Sequence, residues 1–272
     1  MIIRLEKNQK AFEELLSKML QSDPSLRIDG LQVLYELCLL KEEPFEKHLE
    51  LEEEKQNSSG FTLKIKSANA VINDIITELG DYNYGAIDKI HPNKNRIFSS
   101  LIKYTDNSIY QGEYDQVIKQ RDGRGRQIWR SGEIYDGLWK NNLTDGLGRY
   151  IYANGNYYIG EYKAGKKNGF GKYYWKHGDV YSGQQVQDKQ EGLGQLKYSN
   201  MDLYYGQWAN GEREGVGVYI FNNGDIDLGQ YMNSQKHGIQ IFIPKNAGYL
   251  EISKYYRGKH KETLIQLENP VN

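Results

Sequence analysis

The chain has almost no cysteine. Among 272 residues there is one, Cys38. That excludes an intramolecular disulfide framework and a cysteine-rich zinc site, and it fits a reducing compartment. Apolar residues are sparse as well. The hydrophobic share is 38% and the mean hydropathy −0.77, so a core of Leu, Ile and Val would be thin. No run of about 18 apolar residues occurs, so no membrane-spanning helix is expected. The opening MIIRLEKNQKAFEELLSKML is too charged for a secretory signal, and the glycosylation-type matches at Asn57 and Asn142 read as chance. A net charge of −1 supplies no global field for nucleic acid. The five histidines share no motif, and His177 and His237 fall at different offsets. No metal, cofactor or catalytic constellation is therefore expected, and the chain reads as non-enzymatic.

What the chain does have is 29 glycines and 23 tyrosines. Rings of roughly 150–250 Å² each must supply much of the buried apolar area. They are strictly placed. Starting at Gly169-Phe170-Gly171, steps of 23 residues reach Gly146-Leu147-Gly148 and Gly123-Arg124-Gly125 going back. Going forward, the same step reaches Gly192-Leu193-Gly194, Gly215-Val216-Gly217 and Gly238-Ile239-Gln240. A second series, Tyr-x-Gly, shares the period: Tyr135/Gly137, Tyr158/Gly160, Tyr181/Gly183, Tyr204/Gly206 and a weaker Asp227/Gly229. Tyr110/Gly112 sits two residues early, which implies a longer first loop. A third series marks a turn at Gly132, Gly155, Gly178, Met201, Gly224 and Ala247.

Period-two spacing means strand. Each unit therefore reads as a hairpin of two short strands. Its loop carries Asn142, Gly165, Asp188, Gly211 or Ser234 at one fixed offset, all turn formers. Alternate residues share a face, so rings and glycines lie on one side. The repeat core is assigned to Tyr135, Gly137, Trp139, Gly146, Gly148, Tyr158, Gly160, Tyr162, Gly169, Gly171 and Tyr173. It continues through Tyr181, Gly183, Gly192, Gly194, Gly206, Trp208, Gly215, Gly217 and Tyr219. Both glycines of each Gly-x-Gly are expected to floor a ring. A lone hairpin is marginal; stacked neighbours bury the rings continuously.

The pattern resembles the MORN repeat over about residues 98–258, with degenerate ends. The fold expected is mainly β, a single-layer solenoid of 23-residue β-hairpin (MORN) repeats preceded by a small helical N-terminal region. Four stretches are delimited: helical residues 1–57, a mixed linker or capping segment 58–97, the solenoid 98–258 and a tail 259–272. In the first, Phe12, Leu15, Leu16, Met19 and Leu20 form one apolar stripe; Leu31, Leu34, Tyr35, Cys38 and Leu39 form another. FTLKIK (61–66) alternates like a strand, and SANAVINDIITELG (67–80) reads as a capped helix. The tail could supply one closing strand.

The face away from the rings changes along the chain. Arg124, Arg126 and Ile128 give way at equivalent offsets to Val216, Val218, Ile220, Ile239, Ile241 and Ile243. The apolar end is a candidate partner interface, because so large an exposed patch is unusual on a monomer. Cover by the chain itself or by a partner are both open, with another chain expected to contribute; a homodimer is one form of that. Arg121, Arg124, Arg126, Arg130, Arg149 and Lys172 make a candidate basic patch for weak contact with an anionic membrane. The resemblance to MORN proteins implies a structural subunit of a multi-protein assembly in the cytoplasm and cytoskeleton, with the ciliary or flagellar axoneme, such as a radial spoke, as the expected setting. The alternative it implies is a membrane- or phosphoinositide-associated targeting module.

Overall fold

The loop residues picked out by the 23-residue period take the backbone conformation that closes a tight hairpin. The computed structural model describes residues 63, 65–84, 92–245 and 249–268. Within it, Asn141-Asn142, Ala164-Gly165, Gln187-Asp188, Asn210-Gly211, Asn233-Ser234 and Arg257-Gly258 have positive φ at both positions, from 48° to 89°. That is the pairing a two-residue type I′ turn requires. The connecting turns place Gly132, Gly155, Gly178 and Gly224 at positive φ, and Met201 adopts 71° in the glycine's place.

These turns link strands that hydrogen-bond in sequence order, β1 through β15. They are β1 (Arg96–Lys103), β2 (Ile109–Asp115), β3 (Gln120–Ile128), β4 (Ile134–Lys140), β5 (Leu143–Ile151), β6 (Tyr157–Lys163), β7 (Lys166–Tyr174) and β8 (Val180–Val186). Then follow β9 (Lys189–Lys197), β10 (Leu203–Ala209), β11 (Glu212–Ile220), β12 (Ile226–Met232), β13 (Gln235–Ile243), β14 (Tyr249–Tyr256) and β15 (Lys259–Glu268). The pairing is antiparallel. The expected mainly β sheet of repeated hairpins is what forms, and residues 259–268 join it as a strand. The apolar stripes read in residues 1–57 lie outside the described residues.

Among the described residues the chain forms two compact units that divide within β9, the first ending at Gly192 and the second beginning at Leu193. In the first, one helix, α1 (Ala70–Leu79), lies on the face opposite the rings. The Asn69 side chain caps it, accepting from Val71 N at 3.0 Å. Ser67 Oγ donates to Gly132 O at 2.6 Å, pinning the start of the helix to a repeat turn. Ile72 is fully buried against Ile128, Ile134 and Ile151, with Ile75 and Ile76 alongside. Of FTLKIK, Leu63, Ile65 and Lys66 are described and lie in no strand. Ile65 is held instead by its N–H to Gln111 Oε1 at 3.3 Å, and Leu63 packs with Tyr82 and Tyr84. Alternation there serves burial against the sheet, not pairing within it.

On the ring face Tyr110, Tyr135 and Tyr158 are fully buried. Each lies over a pair of glycines that face each other across adjacent strands, one on its own strand and one on the next, as Gly160 meets Gly171. A Cβ on Gly171 would come within 2.4 Å of Tyr158 Cζ. Trp139 and Tyr162 wedge edge-on between successive rings: Tyr110–Trp139 5.8 Å, Trp139–Tyr135 5.1 Å, Tyr135–Tyr162 5.2 Å, Tyr162–Tyr158 5.4 Å. In the second unit Tyr204 sits the same way over Gly206 and Gly217, with Trp208 and Tyr231 edge-on at 5.6 and 5.2 Å.

The first glycine of each Gly-x-Gly departs from expectation. It floors no ring. Gly169 has φ +116° and lies where the β6–β7 register slips between Gly160 and Tyr162. A side chain added there would meet Glu161, not a tyrosine. It is the residue that lets the strand bulge.

Candidate partner-binding faces

Buried tyrosines need a partner for the hydroxyl. Here each finds one three residues on in its own strand. Tyr110, Tyr135, Tyr158, Tyr181 and Tyr204 donate to the main-chain oxygens of Glu113, Leu138, Glu161, Gln184 and Gln207, at 2.6 to 3.4 Å. Burial pushes all five hydroxyls well above the ordinary tyrosine pKa. These rings are core, and no ligand can reach them. Trp139 and Trp208 are also core; their indole N–H groups donate to Gly125 O and Gly194 O, both at 3.2 Å.

Beside this core runs a second row of rings that stays half-buried. In the first unit it passes Trp129–Tyr150 (5.2 Å), Tyr150–Tyr152 (4.5 Å), Tyr152–Tyr173 (5.8 Å) and Tyr173–Trp175 (4.7 Å). In the second it passes Tyr198–Tyr219 (5.6 Å) and Tyr219–Phe221 (4.8 Å). Of the residues assigned to the core, Tyr173 and Tyr219 belong to this open ladder. The rest of the ladder was left out of the core assignment; Trp129, Tyr152, Trp175, Tyr198 and Phe221 recur at one offset from the Gly-x-Gly.

The six basic residues do not form a patch. Arg126 and Arg149 are 4% and 3% exposed and flank the fully buried Asp136. Arg126 Nε and Nη2 donate to the Asp136 carboxylate at 2.5 and 3.0 Å, and Arg149 Nη2 donates at 3.0 Å. Tyr84 Oη adds a fourth donor at 2.9 Å. Burial alone would raise the Asp136 pKa; the two guanidiniums outweigh it and hold it below the usual carboxylate range. Their remaining N–H groups grip the segment above: Arg126 Nη1 donates to Ile65 O and Arg149 Nη1 to Gly80 O, each at 2.9 Å. Gly80 follows the last turn of α1, where a cation is favoured. Arg124 pairs with Glu113 at 2.7 Å. Arg121 lies on the ring face, 4.0 Å over Trp139. Lys172 is half-buried and Arg130 exposed. The expected lipid-facing surface is corrected: its two central arginines are an internal clamp.

The candidate partner interface is corrected too. Val218 and Ile241 are 2% and 1% exposed, in a cluster with Leu228 and Ile252; Val216, Ile220, Ile239 and Ile243 pack partly buried around them. Burial on this scale arises within one chain, so this face is not presented free.

The sixth unit rewrites the core. Asp227 replaces the tyrosine and pairs with Lys236; Gln240 replaces the glycine and its amide fills the space over Gly229. Burial raises the Asp227 pKa, and Lys236 offsets part of the rise. In earlier units the cation at the Lys236 position lies over the tyrosine ring: Arg213 is 5.3 Å from the Tyr204 centroid and Lys167 5.5 Å from that of Tyr158.

An open sheet of ring-over-glycine hairpins defines a repeat protein. The MORN repeat family model matches residues 135–157, 158–180, 181–200 and 204–226. The third match stops one residue short of Met201, and the unmatched outer units are those with the longer loop or with Asp227 and Gln240. No curated protein matches the chain. Among solved structures, the TCP10 domain of Danio rerio CPAP in complex with a peptide of Danio rerio STIL aligns at 11% identity, over 62% of this chain and 72% of that one, with TM-score 0.37. The SAS-4 (dCPAP) TCP domain of Drosophila melanogaster, in complex with a proline-rich motif of Ana2, aligns at 13% identity over 57% and 88%, with TM-score 0.33. Likenesses this loose say nothing of what this chain binds. Among the described residues no group of His, Cys, Asp and Glu could hold a metal ion, and no helix is long and apolar enough to cross a membrane.

Proposed function

We propose that the chain is a non-enzymatic scaffold subunit that binds partner proteins along its open ring ladder. The observation that carries this is the unbroken row Trp129, Tyr150, Tyr152, Tyr173 and Trp175, half-buried and in ring-to-ring contact across successive repeats. Aromatic rings with one apolar body and one polar tip are enriched at protein interfaces. A row of them fixed on strands offers a preorganised groove for a peptide or helix. The setting we propose is a large cytoskeletal assembly, with the ciliary or flagellar axoneme as the case the MORN resemblance implies. The membrane-targeting alternative loses support because Arg126 and Arg149 are spent inside the fold.

The test is to tag the full chain, extract cells with detergent and follow the protein. Retention in the cytoskeletal fraction with defined partners, lost in a Tyr152→Ala/Trp175→Ala variant of unchanged circular dichroism, supports the reading. A protein wholly in the soluble fraction, or one that sediments tightly with anionic vesicles, overturns it.

A further inference from the structure

Hairpin turns stand in solvent, and their residues are ordinarily small or polar. The first unit departs from this. At the hairpin ends of β2–β3, β4–β5 and β8–β9, Val117, Ile118, Leu143 and Val186 are 45 to 65% exposed. Successive hairpin ends follow at two-strand steps of about 10 Å, so these side chains form one row. Five exposed lysines share it: Lys119, Lys140, Lys163, Lys166 and Lys189. The carboxylates of the row are turned to main-chain N–H groups. Asp115 accepts from Val117 and Ile118, Asp145 from Ala164 and Asp188 from Lys167, at 2.8 to 3.1 Å. Among the described residues, Lys119, Lys140, Lys163 and Lys166 form no ion pair. The β2–β3 loop stands out in the row. It spans residues 116–119, where 141–142, 164–165 and 187–188 join the next three hairpins. Its extra length holds Val117 and Ile118, and it is fixed in place. Asn93 Nδ2 donates to Asp115 Oδ2 at 2.9 Å, and Gln116 N donates to Asn95 O at 3.1 Å. Apolar side chains on a backbone already ordered lose little freedom on docking, which suits an anchor point.

We propose that this row, centred on Val117 and Ile118, docks a partner protein that presents an apolar pocket bordered by carboxylates. Charge and composition select that occupant. A second copy offering the same row would set lysine against lysine. A lipid surface favours Trp and Tyr at its boundary. This chain has 23 tyrosines and 4 tryptophans, yet residues 115–120, 140–143, 163–166 and 186–189 contain no ring. A protein surface with acidic residues around an apolar hollow matches both the lysines and the aliphatics. The row is distinct from the ring ladder. Trp129, Tyr152 and Trp175 stand at the other strand ends, where their N–H groups close the repeat turns onto Glu133, Asn156 and Asp179. The inference therefore does not rest on the ladder reading.

The experiment uses the full chain as bait for a random dodecapeptide phage library. Selected peptides are expected to carry an aliphatic or aromatic residue flanked by Asp or Glu. Their affinity should fall roughly tenfold or more for Val117→Ser/Ile118→Ser. In Lys119→Gln/Lys140→Gln it should fall less and lose part of its salt dependence. Both variants change exposed side chains only, so their melting midpoints should match wild type. The ladder variant Tyr152→Ala/Trp175→Ala should bind these peptides as wild type does, which separates this surface from the ladder. Peptides without acidic residues, peptides that both loop variants bind unchanged, or a library that yields none overturn the proposal. Two further results overturn it by naming another occupant. Sedimentation with anionic vesicles that Val117→Ser/Ile118→Ser abolishes assigns the row to lipid. Self-association in analytical ultracentrifugation, abolished by the same variant, assigns it to a second copy.

Discussion

The side-chain amide of Gln240 donates to the main-chain oxygen of Gln230 at 2.6 Å. Gln230 is the third residue after Asp227, so this oxygen is the acceptor that a tyrosine hydroxyl reaches in each of five earlier units. Two residues have changed together, and a third has changed its contact. The ring is gone, the glycine beneath it has grown a side chain, and Lys236 meets a carboxylate where its counterparts meet a ring face.

That coupling is measurable. Asp227→Tyr alone should cost about 1–3 kcal/mol, because the ring would enter space that Gln240 fills. Gln240→Gly alone should cost about 1–3 kcal/mol by leaving the Gln230 oxygen buried and unpaired. The double variant restores the repeat pattern and should recover most of the loss. Urea unfolding of the four proteins gives the coupling energy, expected at about 0.5–3 kcal/mol; simple additivity would show that the two changes are unrelated.

Gly171→Val tests the ring floor. Its Cβ would lie 2.2 Å from Tyr158 Oη, and its three nearest neighbours all belong to that one buried side chain. We expect a loss of about 1–3 kcal/mol in urea unfolding. Adding Tyr158→Ala to it should cost less than Tyr158→Ala costs the wild type. A wild-type midpoint for Gly171→Val would remove the account.

Asp136 and Asp227 predict opposite pH responses. The folded-state pKa of Asp136 lies below its ordinary value. Its stabilisation is therefore fully present above the ordinary carboxylate range and is lost as pH falls through the lowered folded value. Asp136→Asn should weaken the protein by about 3–5 kcal/mol at neutral pH, since two arginines stay buried with a neutral partner, and should flatten the acid limb of the stability curve. The folded-state pKa of Asp227 is raised. Stability is lost there as pH rises from the ordinary value through the raised one, and Asp227→Asn should remove that loss. Stability measured against pH for both variants separates the two signs.

Arg149→Glu distinguishes clamp from patch. A membrane patch would survive the change as a folded protein that has lost vesicle binding. A clamp fails otherwise: Asp136 would face a second buried carboxylate and Gly80 O would lose its donor. We expect a lowered melting midpoint and faster amide exchange in α1, with vesicle sedimentation as low as that of wild type.

The period, the hairpins, the turn residues and the buried tyrosines were legible in the sequence because each is a local pattern repeated at constant spacing. The clamp was not read, for a reason of register. Asp136 lies directly across from Arg126 on one side and from Arg149 on the other. Those pairings join residues 10 and 13 apart, and a list of cations by offset does not display their acid. Aligning Gly125 with Gly137 and Gly137 with Gly148 would have exposed it. The first glycine of Gly-x-Gly was misread because strict alternation puts it on the ring face, whereas the bulge at Gly169 breaks alternation locally. The apolar row from Val216 to Ile243 was read as a partner interface, whereas Val218 and Ile241 are buried within one chain, and exposure cannot be derived from a row alone.

One feature of the loops bears on how such a chain can change length. Asn142 Oδ1 accepts from Arg121 N, Asp188 Oδ1 from Lys167 N and Ser234 Oγ from Arg213 N, always across 21 residues. Each of these three loops is thereby fastened to the hairpin before it, and a segment of any length other than a whole unit would leave its fastening without a mate. Removing or duplicating 23 residues re-forms every one. The sheet is in this sense a ruler with fixed graduations, each adding two strands, or about 10 Å, and a partner that spans several hairpins must measure its own contact points in the same steps.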